Sequence, residues 1–162
     1  MKFLLPVPFV WRHTVVGEEI DEYRHVNNAV YLTWLDRAAW EHSAELGLPL
    51  AECLRLKRGM AVRHTRVDYL QAAVAGDDVG IATWIVASDG RLRCTRRFEI
   101  LRERDGTRML EAEIDYVCLN LETGRPTRFP PEFSEHYRVA PQIAQALTAL
   151  SGPHRTIGSS PD

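Results

Sequence analysis

The sequence predicts an α+β fold in which one long helix packs against a curved, antiparallel sheet of five strands. Two observations favour this class over an alternating β/α arrangement. One long stretch near the N-terminus carries apolar residues at helical spacing. Downstream of it, extended stretches follow one another through tight turns, which join antiparallel neighbours. With 162 residues, the chain has the length of a single domain with a sizeable core.

A short strand and the long helix come first. Residues 9–16 are partly β-branched and aromatic, which is typical of a strand. Residues 28–46 are predicted to form the helix, which ends before Gly47 and Pro49. Its apolar face carries Tyr31, Leu32, Leu35, Ala38, Ala39, His42 and Leu46.

Four strands complete the predicted sheet, at residues 61–70, 79–87, 91–101 and 109–119. Polar turns containing glycine separate the later ones. Residues 50–58 are interpreted as a variable connection, and residues 131–150 as a C-terminal helix with a break near Pro141. Residues 1–150 are therefore expected to form one domain. The Gly-, Ser- and Pro-rich tail at 151–162 is expected to be disordered.

Charge and composition exclude several classes of protein. Twenty Lys and Arg residues against 22 Asp and Glu give a net charge of -2, whereas a nucleic-acid-binding domain is usually strongly basic. No apolar run approaches the ~18 residues that span a membrane. The three cysteines and six histidines lack the spacing of a disulfide framework or a metal site. We expect a cytoplasmic protein that needs no cofactor or metal and binds neither nucleic acid nor membranes.

Arginines are crowded on the predicted strand at residues 91–101, at positions 91, 93, 96 and 97. Alternation spreads them over both faces of the sheet, and no aromatic stacking platform accompanies them. We interpret most of this cluster as a solvated sheet surface, and the alternation places Glu99 on this outward face. Glu19 and Glu22, upstream of the long helix, are interpreted as solvated side chains.

The most informative segment precedes the long helix. It contains Asp21, His25 and the adjacent pair Asn27 and Asn28, which lie at the predicted helix start. One Asn of the pair is expected to cap the helix. A helix start presents free backbone N–H groups and a partial positive charge, which can stabilise an oxyanion. A carboxylate folded back over that helix start could attack an acyl carbonyl or activate water.

The pattern Asp21-x-x-x-His25-Val26-Asn27-Asn28-x-x-Tyr31 resembles acyl-CoA thioesterases of the hotdog fold, of the 4-hydroxybenzoyl-CoA thioesterase type. Weaker similarities at residues 31–38, 67–79 and 119–132 extend the resemblance over about residues 9–138, in the same order. The resemblance implies a five-stranded sheet wrapped around the central helix. It also implies hydrolysis of an acyl or aroyl thioester of CoA to the free acid.

Carried over residue by residue, the resemblance makes Asp21 the catalytic base or nucleophile. It makes the backbone N–H of Asn28 the donor to the thioester carbonyl. His25, Asn27 and Tyr31 match positions that shape the site, and His25 is also a candidate general acid or base.

Two departures from the family pattern stand out in the sequence. Arg24 replaces a common glycine and could alter the entrance beside the carboxylate. Ala72-Ala73 replaces a frequent proline and concerns local strand geometry.

Arg91 and Arg125 are the candidate cations for the phosphates of CoA, because one follows a turn and the other lies in the exit segment. A homodimer or a dimer of dimers is expected, with residues of the strand at 62–70 completing the partner's site. Two alternatives remain open: a thioesterase for acyl groups on a carrier protein, and a non-catalytic module that binds acyl thioesters. Retention of Asp21 argues against the second, because a module that only binds needs no acid beside the carbonyl.

Overall fold

The computed structural model describes residues 1–151 and contains five strands and four α-helices. The bounds are β1 Phe9–Thr14, α1 Asn28–Glu45, α2 Leu50–Leu56, β2 Arg58–Tyr69, β3 Asp78–Ser88, β4 Arg93–Arg102, β5 Arg108–Asn120, α3 Pro131–His136 and α4 Pro141–Leu150. A 3-10 turn at Gly17–Glu19 lies between β1 and α1.

The five strands form one antiparallel sheet in the order β1-β3-β4-β5-β2. The long helix α1 packs on one face of this sheet. Its buried residues Tyr31, Trp34, Leu35 and Ala38 share a core with the inward side chains of β3, β4 and β5. The fold predicted from the sequence, a five-stranded antiparallel sheet around one central helix, is confirmed.

Element boundaries agree with the sequence to within about three residues for α1 and all five strands. The interpretation of residues 50–58 as a variable connection is wrong, because Leu50–Leu56 form α2. Seven residues are too few for a helical period to be recognised, and Cys53 is the one buried residue of this helix. The predicted break at Pro141 is confirmed, since Pro141 begins α4.

The outer face of the sheet is covered by the N-terminal segment and by α4, a second layer that the sequence did not indicate. Leu5 and Ile143 bury Trp84 there, and the indole of Trp84 donates a hydrogen bond to the carbonyl of Pro6. Glu99 was expected to face solvent, but it is only 1% exposed. The backbone N–H of Leu4 donates to its carboxylate, because the N-terminal segment crosses β4 at this point.

Among residues 1–151, no helix is long and apolar enough to cross a membrane. The three cysteines are free thiols, and all three are buried. The tail predicted at 151–162 lies, from residue 152 onward, outside the described residues.

Candidate active site at the start of the central helix

A tight loop brings Asp21 back beside the start of α1. Ile20 and Val26 form an isolated antiparallel bridge, and the Asp21 N–H donates to the His25 carbonyl at 2.8 Å. Arg24 has a φ of 61°, in the left-handed region that favours glycine. This is the position at which the resembling family commonly has glycine, and Arg24 adopts here a backbone conformation that glycine takes readily.

The carboxylate of Asp21 is partly exposed and held by its own loop. Its Oδ1 accepts a hydrogen bond from the Tyr23 N–H at 2.9 Å. A surface cleft lies over it, lined by Ile20, Asp21, Glu22, Tyr23 and Asn27. The arrangement leaves the carboxylate reachable by a water molecule or an acyl group in the cleft.

Asn27 is the N-cap of α1, and Asn28 is the first helical residue. The Oδ1 of Asn27 accepts from the Ala29 N–H at 2.9 Å, and the Asn27 carbonyl accepts from the Val30 N–H. Within the described residues, the N–H of Asn28 donates to no acceptor. A free donor therefore remains at the positive end of an 18-residue helix, in the segment that also carries Asp21.

Glu19 holds the loop against β1 and α1. The sequence did not indicate this role, because Glu19 is interpreted there as a solvated side chain. Its carboxylate accepts from Nε2 of His13 at 2.9 Å, from Nε1 of Trp34 at 2.8 Å and from the Val16 N–H. Burial alone would raise the pKa of Glu19. The hydrogen bonds to its carboxylate together outweigh this effect, so the net shift of the pKa is downward. Glu19 is thus ionised at neutral pH, and its carboxylate connects His13 of β1 to Trp34 of α1.

Two tyrosines connect the helix start to the strand passage from β2 to β3. The buried Tyr31 accepts a hydrogen bond at its hydroxyl from the Ala73 N–H at 2.8 Å. A proline at position 73 could not supply this donor. The hydroxyl of Tyr69, the last residue of β2, donates to the Asn28 carbonyl at 3.1 Å. Tyr31 therefore supports the site from within the core.

The structure brings together four of the residues named from the motif. Asp21 and Asn27 line one cleft, Asn28 follows Asn27 at the helix start, and Tyr31 is buried one helical turn further along α1. His25 is exposed on the same loop, but its ring does not line the cleft and bonds to none of the described residues. Within residues 1–151, no group of three His, Cys, Asp or Glu side chains could hold a metal ion.

The two arginines named for phosphate binding lie far from this cleft within one chain. Asn120 pairs with Arg58 at the start of β2, and its N–H donates to the carbonyl of Arg125. The turn that contains Arg91 lies at the same end of the sheet. Asn28 contacts Tyr69 at the other end of β2. A strand of 12 residues separates these two ends by roughly 36 Å.

The chain belongs to the thioesterase-like superfamily, whose family model matches residues 15–137. The match spans the Asp21 loop, the central helix and strands β2 to β5, which places the protein in a family of thioester hydrolases.

Among curated proteins, the chain is similar to the long-chain acyl-CoA thioesterase FadM of Escherichia coli (strain K12). The two are 27% identical over 125 residues, which cover 75% of this chain and 90% of that protein.

Solved structures show the same fold. A DHNA-CoA thioesterase from Staphylococcus aureus has a TM-score of 0.75 at 21% identity, covering 91% of this chain and 97% of its own. A second Staphylococcus aureus protein, solved in complex with CoA, has a TM-score of 0.73 at 22% identity and covers 99% and 94%. A 1,4-dihydroxy-2-naphthoyl-CoA thioesterase from Synechocystis has a TM-score of 0.70 at 17% identity and covers 91% and 100%.

Proposed function

We propose that the protein hydrolyses an acyl- or aroyl-CoA thioester to the free acid and CoA. The observation that carries this proposal is the pairing of a reachable carboxylate, Asp21, with a free N–H donor, Asn28, at one helix start. The family match and the similarity to a long-chain acyl-CoA thioesterase support the same reaction.

The chemistry divides between these two groups. The Asn28 N–H and the helix dipole stabilise the negative charge that develops on the thioester oxygen. Asp21 either takes a proton from an attacking water or attacks the carbonyl carbon itself. In both routes the carbon–sulfur bond breaks and the thiolate of CoA takes up a proton. In the first route water supplies the second oxygen of the acid directly. In the second route water hydrolyses the anhydride formed between the acyl group and Asp21, which releases the acid and regenerates the carboxylate.

The nature of the thioester carrier separates this proposal from its alternatives. Purified protein should be assayed with CoA thioesters of short, medium and long acyl groups and of 4-hydroxybenzoate, and with the same acyl groups on a carrier protein. Release of free thiol is the measurement. We expect turnover of CoA thioesters; turnover restricted to carrier-protein thioesters favours the carrier-protein alternative. Binding without turnover of any thioester would leave the non-catalytic module.

We further propose that the active unit is a two-fold dimer joined along β2. This strand is an edge of the sheet, 12 residues long, and most of it is exposed. Exposed edge strands pair readily with another chain. Val62 and Tyr69 on β2 and Leu32 and Trp40 on α1 are each at least 40% exposed, which leaves apolar surface beside that edge.

Antiparallel pairing of β2 with its copy would bring Arg91 and Arg125 of one chain towards the Asp21 cleft of the other. The Arg58 end of one β2 then lies beside the Tyr69 end of the other. Arg125 of the partner subunit, and Arg91 at the same end of the sheet, thereby come close to the Asp21 cleft. Each site would contain Asp21 and Asn28 from one chain and phosphate-binding cations from the other.

Light scattering over a dilution series is expected to show a dimer or a tetramer, with specific activity falling once dissociation begins. Thr65→Pro removes a backbone donor from the middle of the exposed edge and should weaken the dimer. Ala75→Pro is the control, because Ala75 is the exposed second residue of the turn from Val74 to Asp77, and its N–H makes no hydrogen bond among the described residues. A monomer with full specific activity would contradict both the assembly and the shared site.

A further inference from the structure

A second cavity lies along α1, away from the Asp21 cleft, between the helix and the inner face of β4 and β5. Its volume is about 40 Å³. The lining residues are Asp36, Ala39, Trp40, Ser43, Cys53, Met60, Cys94, Arg96, Tyr116 and Tyr137. A buried water needs roughly 10–15 Å³ by the same measure, so the space accepts a group about the size of a carboxylate.

Arg96 brings an uncompensated positive charge to this cavity. It is only 3% exposed and forms no ion pair with a carboxylate of residues 1–151. Its Nη1 donates to Nδ1 of His42 at 2.7 Å, and its Nη2 donates to the hydroxyl of Ser43 at 2.9 Å. Its guanidinium lies 5.8 Å from the ring centre of Tyr137. Burying a charge without a counter-ion is costly, so an anion is the missing partner.

The contacts of Arg96 are all neutral groups. Burial, and secondarily Arg96 itself, lowers the pKa of His42 to about 3, so its imidazole is an uncharged acceptor. Asp36 is an exposed residue of α1 at the edge of the cavity. Its carboxyl group is nevertheless partly shielded from water, which raises its pKa. It makes no ion pair with the guanidinium of Arg96.

Tyr116 supplies a second donor without an acceptor. The residue is 7% exposed, and its buried hydroxyl has no hydrogen-bond partner among the described residues. Burial raises the pKa of this phenol, so it stays protonated. A buried donor left unpaired is destabilising, and such groups in native structures usually have a function.

The cavity lies on the same stripe of α1 as the proposed oxyanion donor. Positions 28, 32, 36, 40 and 43 recur at intervals of three or four residues, so they share one side of the helix. Along the helix, Asp36 at the near edge of the cavity is about 12 Å from Asn28, and Ser43, which contacts Arg96, is about 22 Å away. Leu32 and Trp40 provide exposed apolar surface on the way.

We propose that the Arg96 cavity binds a carboxylate at the far end of the acyl group, making ω-carboxyacyl thioesters the preferred substrates. This inference rests on the proposed function. The acyl chain lies over Leu32 and Trp40, and its distal carboxylate accepts hydrogen bonds from Arg96 and Tyr116. Arginine suits this role because its planar guanidinium matches a carboxylate in two parallel hydrogen bonds.

The test compares ω-carboxyacyl-CoA with methyl-terminated acyl-CoA at matched lengths that can reach the cavity, for example dodecanedioyl- with dodecanoyl-CoA and hexadecanedioyl- with hexadecanoyl-CoA. At the best length, we expect kcat/KM to favour the carboxylate by roughly 10- to 100-fold, the range of a charge-assisted hydrogen bond. Tyr116→Phe should reduce this ratio about 10-fold, chiefly through KM. Arg96→Met should abolish the preference.

Thr83→Val is the matched control, because it also removes a buried hydroxyl that has no partner, but on β3 and outside the cavity. It should leave the ratio unchanged. Tyr116→Phe removes a hydroxyl that makes no hydrogen bond to the described residues, so this variant keeps the test decisive even if Arg96→Met does not fold. Equal kcat/KM for both substrate types at every length, with hydrolysis intact, overturns this inference while the proposed function stands.

Thermal shift with free acids separates the two hypotheses further. Octanoate should raise the Tm of the wild-type protein more than 1-octanol does, because only the acid can pair with Arg96, and Tyr116→Phe should reduce that difference. If no thioester is hydrolysed, the proposed function fails, and the Tm shifts alone then test whether the cavity binds a carboxylate. Equal shifts for octanoate and 1-octanol then overturn the inference.

Discussion

Replacing Asp21 with Ala or Asn is expected to lower kcat/KM at least ~100-fold, the contribution of a general base or nucleophile. The variants should remain folded, because Asp21 is partly exposed and, within residues 1–151, its side chain accepts only the Tyr23 N–H. Asn keeps an oxygen acceptor for that N–H, so Asp21→Asn isolates the chemical role of the carboxylate. Thiol release with the best substrate of the acyl-CoA panel is the measurement.

Glu22→Gln is the matched control for Asp21, since Glu22 is an exposed carboxylate lining the same cleft. Its rate should stay close to that of the wild type, which excludes a general effect of charge in the cleft. If Asp21→Ala retained the wild-type rate while remaining dimeric, the carboxylate would have no role in the reaction.

The second large effect is expected from Asn28→Pro, which deletes the free N–H at the helix start. Proline fits the first helical position. The preceding residue Asn27 has a ψ of 136°, which is compatible with a following proline. Loss of one oxyanion donor should lower kcat by ~10²-fold or more. The far-ultraviolet circular dichroism and the Tm should change little.

Asn28→Ala serves as the companion variant, because it removes the side chain and keeps the N–H. Its kcat should stay within a few-fold of the wild type. A folded Asn28→Pro protein with normal kcat, or an equal loss in Asn28→Ala, would rule out the backbone donor. Asn27 differs from Asn28, since its side chain caps the helix. Replacing it should cost about 1 kcal/mol of stability.

Much of the fold could be predicted because its signals are local. The helical period of residues 28–46, the alternation in β4 and β5 and the polar turns between strands each specify their own element. The motif from Asp21 to Tyr31 also lies within 11 consecutive residues, so the loop and the helix start come together through chain connectivity alone.

Other features depend on residues far apart in the sequence. Glu19 read as a solvated acid, yet Trp34 and His13 surround it once α1 packs on β1. Glu99 read as an outward residue, yet the N-terminal segment covers it. Arg96 belonged to an arginine-rich strand, and only the packing of α1 on β4 shows that it is buried beside His42 and Ser43.

The sequence by itself determined the architecture, the family resemblance and the residues proposed to perform the hydrolysis. The tertiary structure decided which of two adjacent asparagines caps α1, and it placed Arg91 and Arg125 at the far end of the sheet from Asp21. It also revealed a buried cation and an unpaired phenol in one cavity. The physical reason is that periodicity reports which face of an element is apolar. What covers that face, and which polar groups are buried with it, depends on contacts between distant segments of the chain.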